Sequence, residues 1–202
     1  MKINKEFKIE ISRIGKILYD KGFAAGTSGN ISIKHENLIY ITPSGYNLGD
    51  VLPENVAVLD IDGNCISKEI KPSTEYKMHV EIYKARTDFS SIIHAHLPKA
   101  TAFAAAGIPL NMPILAEAIV SLGTVPVVDY ALPSSDELAC LVAKQFLSSN
   151  AVLMANHGVV TGGKELKETY YRLETLELYA EVSLWTKILG NSKPISQEDI
   201  KN

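Results

Sequence analysis

Gly26-Thr27-Ser28-Gly29-Asn30-Ile31-Ser32-Ile33-Lys34-His35-Glu36-Asn37-Leu38-Ile39-Tyr40-Ile41-Thr42-Pro43-Ser44-Gly45 is the stretch on which the reading of the fold turns. Ile31-Ser32-Ile33 alternates apolar and polar residues, as a strand with one buried face requires. Leu38-Ile39-Tyr40-Ile41 is a second short apolar run, and the polar residues between the two are few enough only for a hairpin. Val56 to Ile61 reads as a third strand, turned back by Asp62-Gly63 toward Cys65 and Ile66. Strands joined this tightly pair antiparallel, because a parallel pair needs a long crossover.

Outward from this core, helices and strands alternate. Phe7, Ile11, Ile14 and Leu18 recur at helical spacing, with Gly22 as the stop. Pro72-Ser73-Thr74-Glu75 opens a second helix with Ser73 or Thr74 as its cap, and Tyr76, Val80 and Tyr83 line one face. Ser91 to His96 is a strand, Pro98 to Ala106 a helix, Val125 to Val128 a strand and Ser135 to Leu147 a helix. Ala151 to Ala155 is a buried strand that Val159 to Thr161 continues after a break, and a long helix runs on to about Leu189. The expected fold is α/β, a three-layer α/β/α arrangement around a mixed, mostly antiparallel central sheet, with residues 1–202 as a single domain.

Composition narrows the classes. Of 202 residues, 46% are hydrophobic and 21% charged, enough apolar material for a buried core, which excludes a disordered chain. A formal charge of −3 without a basic stripe argues against nucleic acid and against a membrane surface as partners. No run approaches the roughly 20 apolar residues of a membrane span. Met1-Lys2-Ile3-Asn4-Lys5-Glu6 lacks a signal peptide's apolar stretch. Cys65 and Cys140 follow no metal or redox spacing and are expected as small buried or half-buried thiols. The expected compartment is the cytoplasm.

The chemistry lies in the histidines. In His94-Ala95-His96, alternation along a strand sends both imidazoles to one side, with Cα atoms roughly 6.5–7 Å apart. That suits two ligands of one zinc at about 2.0–2.1 Å each. His157, between Asn156 and Gly158 where a buried strand meets a loop, is the third candidate, and Gly158 lets the backbone approach a ligand closely. Glu75, in the first turn of its helix, is either a capping carboxylate or a member of the same site. His79 shares a face with Glu75 and is either a partner behind the ligands or a ring filling the helix interface, the latter being preferred. His35, in a polar hairpin turn, reads as a surface residue. Three histidines and a carboxylate without thiolates make a catalytic metal site a better fit than a structural one.

Three small-residue turns accompany these groups: Gly26-Thr27-Ser28-Gly29-Asn30, Thr42-Pro43-Ser44-Gly45 and Pro72-Ser73-Thr74. The first matches neither the Walker loop nor the dinucleotide fingerprint. Its glycines and hydroxyls can form an anion-binding nest, and the third sits at a helix N-terminus suited to phosphate. Together they suggest a cradle for a phosphorylated small molecule.

Gly-Thr-Ser-Gly-Asn-Ile-Ser, Thr-Pro-Ser-Gly, Pro-Ser-Thr-Glu, His-Ala-His and Asn-His-Gly-Val-Val, in that order from about Phe7 to Leu189, resemble the class II aldolase/adducin family. The resemblance implies a homotetramer with one zinc per subunit on His94, His96 and His157. It implies Glu75 as catalytic acid/base and metal ligand when substrate is absent. Phosphate and substrate contacts would fall on Gly29, Asn30, Ser44, Gly45, Ser73 and Thr74, with Thr27 nearby. The implied reaction is reversible cleavage of a ketose 1-phosphate, of the L-fuculose 1-phosphate kind, to dihydroxyacetone phosphate and a short aldehyde.

One departure from the pattern concerns Leu115-Ala116-Glu117, where aldolases of this kind have a tyrosine proton donor. Glu117 stands there instead, as a second catalytic candidate or as a plain helix-start carboxylate. A glutamate so placed serves methylthioribulose-1-phosphate dehydratases of the same family. Such a dehydratase, or a sugar-phosphate epimerase or decarboxylase, is therefore the alternative. A non-enzymatic module like the adducin head is disfavoured by the retained histidines and Glu75.

Overall fold

The computed structural model describes residues 3–67 and 69–201; Met1 and Lys2, the start of the N-terminal segment read above, lie outside them. Seven strands form one sheet: β1 (Asn30–His35), β2 (Leu38–Ile41), β3 (Ala57–Asp60), β4 (Ser91–Ala95), β5 (Val127–Val128), β6 (Ala151–Met154) and β7 (Gly158–Gly163). Their order across the sheet is β3-β2-β1-β4-β7-β6-β5. Every neighbouring pair is antiparallel except β5 with β6. The mixed, mostly antiparallel sheet expected from the early hairpins is the one observed.

Alternation along the strands feeds two cores. On one face, Leu38 and Tyr40 of β2, Ile31 and Ile33 of β1 and Ile93 of β4 pack under α1 (Lys5–Asp20), α3 (Pro98–Ala105) and α6 (Leu166–Ile188). On the other, Ile39, Ile41, Ile92 and Val160 pack under α2 (Tyr76–Ala85) and α5 (Asp136–Phe146). These are the three layers. A six-residue helix, α4 (Ala116–Ser121), has no side-chain cap at Leu115 and left no periodic signal in the sequence. A terminal helix, α7, spans Gln197–Lys201.

Several local expectations need correction. β7 does not continue β6 but folds back on it: Asn156 takes a left-handed φ of 56° and Met154 pairs with Gly158, closing a three-residue hairpin loop that carries His157. Only Val127 and Val128 of the expected 125–128 strand join the sheet, while Val125 makes an isolated bridge to Leu110. Neither Ser73 nor Thr74 is the cap of α2. Glu75 occupies that position without a side-chain cap bond, because its carboxylate is turned elsewhere. Cys65 and Cys140 are free and exposed rather than buried, Cys65 in the turn after β3 and Cys140 on the solvent side of α5. His35 is at the surface as expected, its ring 4.9 Å from that of Phe7.

Candidate metal centre and its cradle

β1, β4 and the β6–β7 hairpin lie side by side, and their register assembles the site. Asn30 is directly opposite His94, and His94 is opposite Val160. His94 is fully buried; its Nδ1–H donates to the carbonyl of Val159 at 2.9 Å, which turns Nε2 toward the cluster. His96 lies one residue beyond β4, yet its Nε2 comes within 3.1 Å of His94 Nε2. The ring of His157 is 4.8 Å from that of His94 and 5.2 Å from that of His96. Glu75 enters from the start of α2, with Oε2 3.2 Å from His94 Nε2 and Oε1 3.4 Å from His157 Nε2.

These separations bear on a metal. Ligands about 2.0–2.1 Å from a tetrahedral cation stand roughly 3.3–3.4 Å from one another. Four groups already separated by 3.1 to 3.4 Å along three contacts need little movement to share one ion. The ligating atoms of His94, His96 and His157 all lie within 4.8 Å of one another, so these three residues could hold a metal. Glu75 Oε1 is buried without a hydrogen-bond partner, the condition of an acceptor that a cation satisfies.

Electrostatics prepares the cluster. Burial alone would raise the Glu75 carboxyl, but His94 beside it, then His157 and the Asn30 amide, hold it well below the usual carboxylate range. Burial and the neighbouring His94 push both His96 and His157 down to about 4, so both rings are neutral ligands at pH 7. Burial works against a charge on His94 too, but the Glu75 carboxylate outweighs it and raises that group.

The three turns converge beside this cluster. Pro43 and Pro72 pair across an isolated bridge, with Ser44 N–H donating to Lys71 O and Ser73 N–H to Thr42 O. Thr42 Oγ1 accepts from Ile31 N–H, tying both turns to the start of β1. The result is a cavity of about 230 Å³ walled by Thr27, Gly29, Asn30, Ser44, Gly45, Ser73, Thr74, Glu75, His96 and His157. Gly29 and Gly45 hold left-handed φ values of 80° there. Among the described residues no lysine or arginine lines it, so an anion in this cavity would rely on backbone N–H groups and hydroxyls. Pro133 and Ser134, which sequence reasoning missed, complete the wall. The one available signal was a left-handed φ of 68° at Ser134, which is visible only in three dimensions.

Glu117 is not brought in. It is exposed in the first turn of α4 and does not line the cavity. His79, by contrast, is no mere packing ring: it is fully buried and hydrogen-bonded to Asn30 and Ser32. Gly158 spares room for the ligand rings rather than for a ligand, since a Cβ there would sit 2.8 Å from the His96 ring and 2.7 Å from Ala95 O. The chain after α6 runs along 112–113, with Ile195 N–H donating to Pro113 O, and borders a more apolar cavity of about 340 Å³ away from the histidines.

The family model described as Class II Aldolase and Adducin N-terminal domain matches residues 9–184. The chain belongs to that family. It is 36% identical over 184 residues to an L-fuculose phosphate aldolase of Methanococcus maripaludis, covering 91% of this chain and 98% of that one. It is 33% identical over 205 residues to a 5-deoxy-D-ribulose 1-phosphate aldolase of Bacillus thuringiensis, covering 100% and 95%. A 3-oxo-tetronate 4-phosphate decarboxylase of Haemophilus influenzae is 31% identical over 175 residues, covering 84% and 83%. The solved structure of an L-fuculose 1-phosphate aldolase superimposes with a TM-score of 0.93 at 32% identity, covering 98% of this chain and 94% of the other. The class II aldolase fold is thereby established.

Proposed function

We propose that the chain is a zinc-dependent aldolase that reversibly cleaves a ketose 1-phosphate to dihydroxyacetone phosphate and a short aldehyde. The observation that carries this reading is the meeting of Glu75, His94, His96 and His157, of which Glu75, His96 and His157 wall a cavity completed by glycine- and hydroxyl-rich turns. Family membership and the two aldolase-named relatives support the lyase class.

His94, His96 and His157 would hold the zinc, with Glu75 as an additional ligand until substrate enters. Bound there, the ion would act as a Lewis acid on the carbonyl and neighbouring hydroxyl oxygens of the sugar, stabilising the charge left by carbon–carbon cleavage. The phosphate would rest among Thr27, Gly29, Asn30, Ser44, Gly45, Ser73 and Thr74, receiving N–H and O–H donors. Glu75 would exchange a proton with the three-carbon fragment through Oε1, the oxygen without a partner. General acid–base catalysis of this kind contributes about 10²–10⁴-fold.

We read residues 1–202 as one domain of a cytoplasmic homotetramer. Tyr171, Leu178, Trp185, Ile188 and Leu189, exposed along α6 and just past it, offer apolar surface for subunit contact. Among the described residues, no helix is long and apolar enough to cross a membrane.

The test incubates protein with L-fuculose 1-phosphate and a panel of other ketose 1-phosphates, coupling dihydroxyacetone phosphate to a reductase. Dependent oxidation of the reductant supports the reading, and its absence across the panel refutes it. The decarboxylase-named relative favours one competitor, which carbon dioxide release from a 3-oxo acid phosphate would reveal. A methylthioribulose-1-phosphate dehydratase using Glu117 draws no support from its exposed position within the subunit.

A further inference from the structure

Two periodicities meet behind Glu75. Asn30 and Ser32 are two apart on β1 and so face the same way, while Glu75, His79 and Tyr83 follow one another at intervals of four along α2. Four residues of helix rise about 6 Å and two of strand about 6.6–6.8 Å, so the two rows can interdigitate. They do so as a ladder of five buried side chains. Asn30 Nδ2 is 2.8 Å from Glu75 Oε2, and Asn30 Oδ1 is 2.5 Å from His79 Nε2. His79 Nδ1 is 2.7 Å from Ser32 Oγ, which is 2.8 Å from Tyr83 Oη.

Chemistry gives this ladder one direction. The ionised carboxylate can only accept, so the Asn30 amide must present its NH₂ to it and its carbonyl to His79. That carbonyl in turn requires a proton on His79 Nε2. The neutral ring then offers Nδ1 only as an acceptor, so Ser32 donates to it, and Tyr83 donates to Ser32. We propose that Ser32 and His79 are positioning residues: through a one-way hydrogen-bond ladder whose outermost donor is Tyr83, they lock the Asn30 amide so that Glu75 Oε2 is held and Oε1 is left as its free oxygen. Reversing the His79–Asn30 rung would turn the Asn30 carbonyl toward the carboxylate, setting two acceptors face to face at 2.8 Å, and reversing the Tyr83–Ser32 rung would set Ser32 Oγ and His79 Nδ1 face to face as acceptors at 2.7 Å. This role rests on the functional reading above for its catalytic consequence, but the ladder's direction does not.

The experiment has two arms. In the metal-free protein, ¹⁵N-histidine NMR assigned through His79→Gln should report His79 as the neutral Nε2–H tautomer, with the lock lost in Ser32→Ala. An Nδ1–H or charged His79 in the wild type overturns the ladder whatever the protein's activity. In the second arm, kinetics are measured on a ketose 1-phosphate that the wild type cleaves, with metal content and melting temperature recorded for each variant.

Ser32→Ala and His79→Leu should lower kcat about 10–100-fold with KM and metal content little changed, the usual scale for outer-shell partners. His79→Gln, which can still donate to Asn30, should recover to within about threefold of wild type. Tyr83→Phe leaves Ser32 free to donate and should cost less than about threefold. Wild-type kcat in Ser32→Ala and His79→Leu, or a loss in Tyr83→Phe as large as theirs, overturns the proposal. If the wild type cleaves none of the sugars, the functional reading falls and the tautomer arm alone decides the ladder.

Discussion

Gly158 has no room for a side chain. A Cβ would press on Ala95 O, the His96 ring and, at 3.1 Å, the His94 ring, none of which can yield without moving a ligand candidate. Gly158→Ala should therefore lower stability by about 1–3 kcal/mol, as overpacking does, and weaken metal retention. Denaturant melts and metal analysis check both effects. Glu75→Gln should abolish turnover while leaving metal on the three histidines, and full activity in that variant refutes its role. His94→Ala should lose the metal, because the remaining neutral rings no longer close a set of three. At this scale the spacing of His94-Ala95-His96 carried a chemical meaning, the strand-end position pointed to His157, and the roles of Glu75 and the full ligand set came with the family resemblance. The role of His79 was not. Its partners Asn30 and Ser32 are 49 and 47 positions away, and nothing local distinguishes a hydrogen-bonded ring from a packed one.

Element ends show how distant residues finish local structure. α3 begins at Pro98 without a capping side chain at Leu97. Its first free N–H groups, of Lys99 and Ala100, instead donate at 3.0 Å to the two carboxylate oxygens of Glu177, a buried residue of α6. Glu177→Ala should cost about 1–3 kcal/mol of stability, the range for leaving buried donors unpaired, measured by urea unfolding. The same principle explains which elements the sequence disclosed. Helix α1 and one face of α2 announced themselves by helical spacing, and strand β1 by alternation. The β6–β7 hairpin read as an interrupted strand, since the left-handed turn at Asn156 uses a residue type that also sits in ordinary loops. The cap of α2 was misplaced because the Glu75 carboxylate serves the cluster in preference to its own helix.

For the whole molecule, the exposed stripe from Tyr171 to Leu189 is the natural place to test assembly. Light scattering should give the mass of four chains for the wild type, and Trp185→Glu with Leu189→Glu should shift it to smaller species. A monomeric wild type would remove that part of the proposal. The sequence by itself determined the layered α/β architecture, the mostly antiparallel sheet and the residue types of the site, because strand alternation, helical spacing and ligand motifs are all local periodicities. Only the tertiary structure decided that Asn30 faces His94, that the turns at Pro43 and Pro72 lie side by side, that Glu117 stays outside the cavity, and that a one-way ladder backs Glu75. Coordination and hydrogen bonding act over about 2–3 Å through space. Such distances are set by strand register and helix placement across tens of residues, which no local pattern in the chain specifies.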